Sequence, residues 1–279
     1  MKAQPFKIPK KLNQSLIVQV NEASSFYNKL HQHEEVQISY IKKGHGKLIV
    51  ADSIHSFKEN DIFIIGSNCP HVFKSAEECE KAHMVILFFT KESFHNSYTE
   101  IPELELMQLF FSITALSLKI NSKTKAIASL MHNLVTADKF SRFIIFLKLI
   151  RKISNADVYT LSVFKYKRKI TDSEGKRMQV IFDYAMKNFQ NTISLETMSE
   201  LVFMTPNAFC RFFKQRTNKT FFQFLIQLRI EHACQLLENE TDLSMAAVSI
   251  KSGFNSISNF NRQFRSVKNC APSIYIKIK

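Results

Sequence analysis

Two groups of polar and basic side chains in the last third of the chain have types and spacings suited to hydrogen bonding with nucleic acid. In the helix predicted to start at Thr205, Phe209, Phe212 and Phe213 lie three and four positions apart and therefore share one face. The opposite face carries Asn207, Cys210, Arg211 and Lys214. Arginine and asparagine can form paired hydrogen bonds with base edges, and lysine can bind phosphate.

The same arrangement recurs about fifty residues later, in a helix predicted from about Ser256 to Val267. Phe260, Phe264 and Val267 form its inner face. The outer face carries Ser258, Asn261, Arg262 and Arg265. From chemistry alone, Arg211 and Arg262 are the residues expected to donate to bases or phosphates, whereas Lys214 and Arg265 are expected to bind phosphate.

A short helix is predicted before each of these two helices. Ser194 is a good N-cap for the first, which ends near Phe203, and Ser244 can cap the second, which ends at the turn residue Gly253. A short helix, a tight turn and a second helix with a basic outer face are typical of a unit that reads a DNA major groove. We therefore predict helix-turn-helix units at about 194–216 and 244–268.

One long helix from Thr220 to Asn239 joins the two units in this interpretation. At 1.5 Å per residue it is about 30 Å long. Two recognition helices on one face of DNA should lie about one helical turn, roughly 34 Å, apart. The length of the connecting helix therefore suits two units that act together.

At these residues the chain resembles the AraC family of bacterial transcription regulators. The match is carried by the run Gly253 to Arg265, followed by Ala271-Pro272-Ser273-Ile274-Tyr275; upstream, Phe203 stands where the family's turn usually carries glycine. The resemblance implies a sequence-specific regulator bound to double-stranded promoter DNA, in contact with RNA polymerase. It places the base-reading positions at Asn207, Cys210, Arg211, Ile257, Ser258 and Arg262. Activation and repression both remain open.

The N-terminal half has short strand patterns separated by turns, from Val36 to Phe89, which are typical of a sandwich or barrel. It resembles the cupin barrel that many AraC-type regulators carry. In metal-binding cupins, a His-x-His pair, a glutamate and a later histidine converge. The equivalent residues here are His31, His33, Gln37 and His71. Because the Gln37 amide is a poor ligand for a divalent ion, we predict that these four residues form the pocket of a small, sugar-like effector, with no metal or other cofactor. A metal site and purely structural histidines are the alternatives.

These patterns predict an α+β two-domain protein. Residues 1–157 form a cupin-like β-barrel (about 15–95) with a helical segment (about 101–155), residues 158–175 form a linker, and residues 176–279 form an all-α DNA-binding domain. The helices of 101–155 have more apolar surface than a small barrel should cover, so we expect a homodimer through them. The alternative is that they pack only among themselves.

Charge and cysteine content fit this interpretation. The net charge is +14, and residues 175–279 hold 14 Lys+Arg against 7 Asp+Glu; an excess of lysine that only keeps the chain soluble is the alternative. The five cysteines have no CxxC spacing, which favours reduced thiols. Without a signal peptide or an apolar run of 18 residues, the protein is predicted to be cytoplasmic and not bound to a membrane.

Catalysis is not expected, because the sequence has neither a triad-like arrangement nor a phosphate-binding glycine loop. Two other functions remain open. The first is a metal-dependent cupin enzyme with an accessory helical domain, and the second is a nucleic-acid-binding protein without sequence preference.

Overall fold

A computed structural model describes residues 14–76, 78–94, 101–162, 171–240 and 242–278 of the protein. The chain forms two compact units, residues 1–51 with 57–172 and residues 52–56 with 173–279. Residues 1–13 and the basic centre of the predicted linker (158–175) lie outside the described residues. No helix among the described residues is long and apolar enough to cross a membrane.

The N-terminal part of the chain, which makes up most of the first unit, is built on two antiparallel sheets. Its strands are β1 (Ile17–Ala23), β2 (Val36–Lys43), β3 (Gly46–Val50), β4 (Ser53–Phe57), β5 (Ile62–Ile65), β6 (His71–Ser75), β7 (Ala82–Phe89), β8 (Ser117–Ile120) and β9 (Val158–Ser162). The larger sheet has the order β1-β7-β2-β5-β8-β9 and the smaller one β4-β3-β6. This is the cupin-like arrangement that the sequence predicted.

Aromatic rings fill the space between the two sheets. Phe57 and Phe73 from the small sheet meet Phe63 and Phe88 from the large one in a single buried cluster. The Phe57 and Phe73 rings are 5.6 Å apart and the Phe63 and Phe73 rings 5.9 Å apart, both edge to face. Such packing stabilises the interior and leaves it occupied by side chains.

Three helices cover the other face of the large sheet: α1 (Glu105–Ile113), α2 (Thr124–Asn133) and α3 (Lys139–Ser154). They bury Phe110, Met131 and Phe146 against strand residues such as Ile64 and Leu87. The helices therefore pack on the sheet and not only among themselves.

Two strands lie outside the region predicted to form the barrel (about 15–95). Ser117–Ile120, inside the segment interpreted as helical, forms β8, and Val158–Ser162, interpreted as linker, forms β9. Both belong to the large sheet, since β8 pairs with β5 and β9 pairs with β8. Sheet pairing, which is not local in sequence, decides the conformation of such short segments.

The second unit is helical. Its helices are α4 (Asp172–Asn188), α5 (Leu195–Leu201), α6 (Pro206–Thr217), α7 (Phe221–Asn239), α8 (Met245–Lys251), α9 (Ile257–Lys268) and α10 (Pro272–Ile278). The long connecting helix α7 is confirmed. It buries residues along its whole length, from Phe221 to Leu237, and α6, α8 and α9 pack against it, whereas α5 packs on α6.

Candidate nucleic-acid interface and histidine cluster

The turn between α5 and α6 closes through two backbone hydrogen bonds. The amide of Phe203 donates to the carbonyl of Glu200 (3.1 Å) and that of Met204 to the carbonyl of Ser199 (2.9 Å). Phe203 adopts a left-handed backbone with φ of 56° and its side chain is 94% exposed. An aromatic residue is uncommon in this conformation because its Cβ crowds the backbone.

The turn between α8 and α9 repeats this pattern with a glycine. Gly253 donates to the Ile250 carbonyl (2.9 Å), Phe254 donates to the Ser249 carbonyl (3.0 Å), and the φ of Gly253 is 84°. Phe203 therefore occupies the position of Gly253, and the upstream turn keeps the same bonding pattern despite lacking glycine. The two halves of the unit are structural repeats.

Both recognition helices, α6 and α9, begin and end in the same way. The hydroxyl of Thr205 caps α6 by accepting from Ala208 N, and that of Ser256 caps α9 by accepting from Asn259 N. Each helix ends at an asparagine in the left-handed conformation, Asn218 and Asn269, with φ of 54° and 57°. The length and orientation of both helices are therefore set by matching local signals.

The inner faces are buried as the spacing predicted, except that Phe212 and Val267 are only half-buried. Phe209 and Phe213 of α6, and Phe260 and Phe264 of α9, are all fully buried. Each pair lies four residues apart, with ring centroids 5.9 Å and 5.6 Å apart respectively. This packing fixes which face of each helix is turned outward.

The predicted DNA-contacting residues lie on the opposite, accessible faces. Exposed residues are Asn207, Cys210, Arg211, Lys214, Ile257, Ser258, Arg262 and Arg265, and Asn261 is half-buried. Arg262 donates to the side-chain oxygen of Asn259 at 3.0 Å. Sequence reasoning did not anticipate this contact, although the spacing of three residues on a helix was a usable signal.

Two further arginines of this unit have structural partners. Arg216 is buried and forms an ion pair with Glu174. Arg229 donates to the carbonyls of Phe189 (2.7 Å) and Asn191 (2.8 Å). The count of basic residues therefore overstates the charge available to a nucleic acid.

In the first unit, the structure brings the four predicted effector residues together. His31 and His71 pair through their backbones, with N–O distances of 3.1 and 2.9 Å, and their rings are 4.3 Å apart. One ring nitrogen from each of His31, His33 and His71 lies within 4.8 Å of the others. The side-chain oxygen of Gln37 is 3.0 Å from His33 Nε2 and 3.2 Å from His71 Nε2.

The cluster is closed off from solvent on its inner side. His71 is fully buried, and the rings of His33 and His71 contact Phe88 and Phe73 edge to face. Burial lowers the pKa of His31 to about 4 and also lowers the pKa of His33 and, strongly, that of His71. All three imidazoles are therefore neutral at physiological pH.

A cleft of about 320 Å³ lies beside the cluster in the first unit. Its lining combines carboxylates, a lysine and hydroxyls with an apolar wall: Glu34, Val36, Ser67, Asn68, Cys69, Lys91, Glu92, Phe111, Thr114, Ala115, Leu116, Ser117 and Ser162. None of the four predicted effector residues lines this cleft.

Family models match each of the two units. Residues 14–102 match the AraC-like ligand binding domain, and residues 198–278 match a helix-turn-helix domain. The first range contains strands β1 to β7, and the second contains both recognition helices. The family assignments thus fall on the sheet domain and on the duplicated helical unit separately.

Relatives align over nearly the whole chain. The uncharacterized HTH-type transcriptional regulator YdeC of Bacillus subtilis is 24% identical over 93% of this chain and 89% of its own. The HTH-type transcriptional activator RhaR of Mannheimia succiniciproducens is 23% identical over 88% and 86%. The solved structure of ToxT from Vibrio cholerae is 15% identical over 95% and 99%, with a TM-score of 0.38. The chain belongs to the AraC-type DNA-binding transcriptional regulators with an N-terminal ligand-binding domain.

Proposed function

We propose that α6 and α9 each enter a major groove and that Arg211 and Arg262 read bases there. The supporting observation is the duplication: two helices with the same caps, the same turn bonding and the same buried phenylalanine pair present basic faces outward. Lys214 and Arg265, one turn of helix further along, bind phosphates and so position the helices. Asn207, Ser258 and Asn261 are secondary readers.

The remaining two positions contribute shape and apolar contact. Ile257 is 43% exposed at the start of α9, where a thymine methyl group can pack against it. Cys210 is exposed on the outer face of α6 beside Arg211 and acts as a small side chain that allows close approach.

Selection from a random double-stranded DNA pool by the full-length protein tests the proposal. We expect two short preferred blocks, about one helical turn apart per protomer. Arg262→Ala should lower affinity for the selected site by about 1–3 kcal/mol and relax the preference at one base pair. The matched control is Lys125→Ala, which removes an exposed cation from α2 in the first unit.

The outcomes are distinct. Loss of preference at a block with Arg262→Ala, but not with Lys125→Ala, supports base reading by α9. A uniform loss of affinity at every sequence would instead make Arg262 a phosphate contact. Salt-dependent binding without any enriched block would contradict sequence-specific reading.

We propose that two copies of the chain pair through α3. One face of this helix packs on the sheet through Phe146, Leu149 and Ile150, whereas Phe140, Phe143 and Ile144 on the other side are 74%, 37% and 38% exposed. Three large apolar side chains within two helical turns form an exposed patch that a second copy of the same helix can cover. An interface with two-fold symmetry pairs such a patch with itself.

We further propose that the effector binds in the cleft beside the histidine cluster. Its volume lies within the range of small-molecule sites, about 300–1,000 Å³. The hydroxyl, amide and carboxylate groups of its lining can hydrogen-bond the hydroxyls of a sugar-like molecule, and Phe111 and Leu116 can contact its apolar face. We also propose that the protein is cytoplasmic and that it contacts RNA polymerase when it is bound at a promoter.

A thermal-shift screen of sugars and polyols tests this site. A ligand that stabilises the wild type should stabilise Glu92→Gln or Glu34→Gln less, because each loses a carboxylate from the cleft. Glu103→Gln, an exposed carboxylate in the same unit that does not line the cleft, is the control. Equal shifts in all variants would place the effector elsewhere.

A further inference from the structure

The two recognition helices differ in the residue that lies beside their outward-facing arginine. Arg262 of α9 donates through Nη2 to the side-chain oxygen of Asn259, three residues earlier, at 3.0 Å. In α6 the residue three before Arg211 is Ala208, whose methyl group cannot accept a hydrogen bond. The helices share their caps, their turn bonding and their buried phenylalanine pairs. The difference therefore falls on the outward faces.

Asn259 is itself held firmly enough to orient another side chain. Its backbone N–H donates to the capping hydroxyl of Ser256 at 3.2 Å. The next residue, Phe260, is fully buried, and its ring centroid lies 5.4 Å from that of Phe254 and 5.6 Å from that of Phe264. Residues three apart lie on the same side of a helix, so the Asn259 amide reaches the guanidinium along the helix surface.

We propose that Asn259 is a positioning residue that orients Arg262 for base recognition, and that α9 therefore discriminates among base pairs more strongly than α6. The inference rests on the proposed function, in which Arg211 and Arg262 read bases. It concerns the orientation of Arg262 before DNA arrives, and it assigns no base contact to Asn259.

The chemistry of the pair suits this role. An arginine only donates, so the atom of the Asn259 amide that faces it is the oxygen. The amide is neutral, so it orients the guanidinium without cancelling the positive charge that attracts DNA. One of the N–H groups of Arg262 is used by Asn259, and the others are sufficient for a paired contact with O6 and N7 of guanine.

A pre-oriented arginine improves discrimination for two reasons. An exposed arginine loses rotamer freedom when it binds, and a side chain that is already oriented loses less, which strengthens binding to the correct base pair. A held side chain is also less able to turn to a phosphate or a neighbouring base when the wrong base pair is present. From the cost of immobilising one long side chain, we expect Asn259 to contribute about 2- to 10-fold to the preference at that base pair.

The test measures the affinity of the full-length protein for the selected DNA site and for sites in which each position carries another base pair. Asn259→Ala should reduce the preference at the base pair read by Arg262 by about 2- to 10-fold and leave the block read by α6 unchanged. Alanine is a better helix former than asparagine, and the Ser256 hydroxyl can still cap the same backbone N–H, so α9 should stay folded. Asn133→Ala, which removes an exposed asparagine of the first unit, is the control and should leave every preference unchanged.

Two further variants separate positioning from direct contact with a base. In an Arg262→Ala background, Asn259→Ala should have no additional effect on base preference, because its action passes through Arg262. Ala208→Asn places the same partner three residues before Arg211. It should sharpen the preference at the base pair that Arg211 reads.

The outcomes separate this inference from the proposed function. A loss of preference with Asn259→Ala that disappears in the Arg262→Ala background supports positioning. An equal loss in both backgrounds would make Asn259 a direct reader and overturn the inference, as would an unchanged preference in the Asn259→Ala variant. Failure of the proposed function has a different signature, because Arg262→Ala alone would then lower affinity uniformly and change the preference at no base pair.

Discussion

Replacing Phe203 with glycine is expected to stabilise the second unit. The φ of Phe203 is 56°, and a residue with a Cβ in this conformation costs about 1–2 kcal/mol. Because the side chain is 94% exposed, its removal sacrifices almost no buried surface. The greater freedom of glycine in the unfolded chain offsets about 0.4–1 kcal/mol. The net gain in the free energy of unfolding is therefore about 0–1.6 kcal/mol, with a midpoint near 0.8 kcal/mol.

The equivalent position in the repeat gives the opposite expectation. A Cβ at Gly253 would lie 2.7 Å from the Phe189 carbonyl oxygen and 2.8 Å from Gln190 Cα, both backbone atoms. With a φ of 84°, Gly253→Ala would combine this clash with a strained backbone. We expect a loss of about 2 kcal/mol or more, since both effects act in the same direction.

Urea denaturation of the full-length protein, followed by helical circular dichroism, measures both effects. Phe203→Ala is the matched control: it removes the ring but keeps a Cβ, so it should remain less stable than Phe203→Gly by about 1 kcal/mol. If the alanine and glycine variants are equally stable, the backbone at 203 carries no strain. If both are less stable than the wild type, the ring makes a stabilising contact and the reasoning fails.

The remaining predictions concern dimerisation, capping and independence of the second unit. Ile144→Asp should shift the protein towards monomer in sedimentation velocity, whereas Lys125→Asp, a charge reversal away from α3, should not; an unchanged dimer would exclude the α3 patch. Ser194→Ala should lower the free energy of unfolding by about 1 kcal/mol because Thr197 N loses its acceptor, and Ser194→Gly by only a few tenths; equal losses would count against capping. A fragment of residues 171–279 should be folded by circular dichroism and bind the selected DNA more weakly than the full chain; an unfolded fragment would show that the predicted boundary is misplaced.

The recognition helices could be predicted from the sequence because their signals are local. Phenylalanines three and four residues apart can share only one helix face, so the burial of Phe209, Phe213, Phe260 and Phe264 follows from spacing. Serine and threonine caps mark the helix starts for the same reason. Local rules thus determine which side chains point outward.

The sheet was harder to predict, since its strands are completed by distant partners. Ser53–Phe57 and His71–Ser75 are too short to show a clear alternation of apolar and polar residues, so neither was identified as a separate strand. In the structure, β4 and β6 are the two neighbours of β3 in the small sheet. Their strand conformation depends on the hydrogen bonds of β3 and on the phenylalanines that they bury between the sheets. Neither condition is visible in five residues.

The histidine cluster lies between these cases. The resemblance to cupins predicted that His31, His33, Gln37 and His71 would come together, and they do. It could not predict that each Nδ1 faces a carbonyl, because this depends on ring orientations set by the backbone of loop residues.

The duplicated turn shows that glycine is not what defines its geometry. Two hydrogen bonds close it in both copies, and the second copy needs glycine because Phe189 and Gln190 leave no room for a Cβ at 253. Because the Phe203 side chain is exposed, a Cβ at this position of the turn between α5 and α6 costs only backbone strain and no steric clash. Phe203 is a strained, exposed aromatic residue just before a recognition helix. A substitution there can therefore change the stability of the protein and its affinity for DNA independently of each other. If the Phe203→Gly variant is more stable than the wild-type protein but binds the selected DNA more weakly, the Phe203 ring contacts DNA. If the affinity for DNA is unchanged, the backbone strain at Phe203 has no part in DNA recognition.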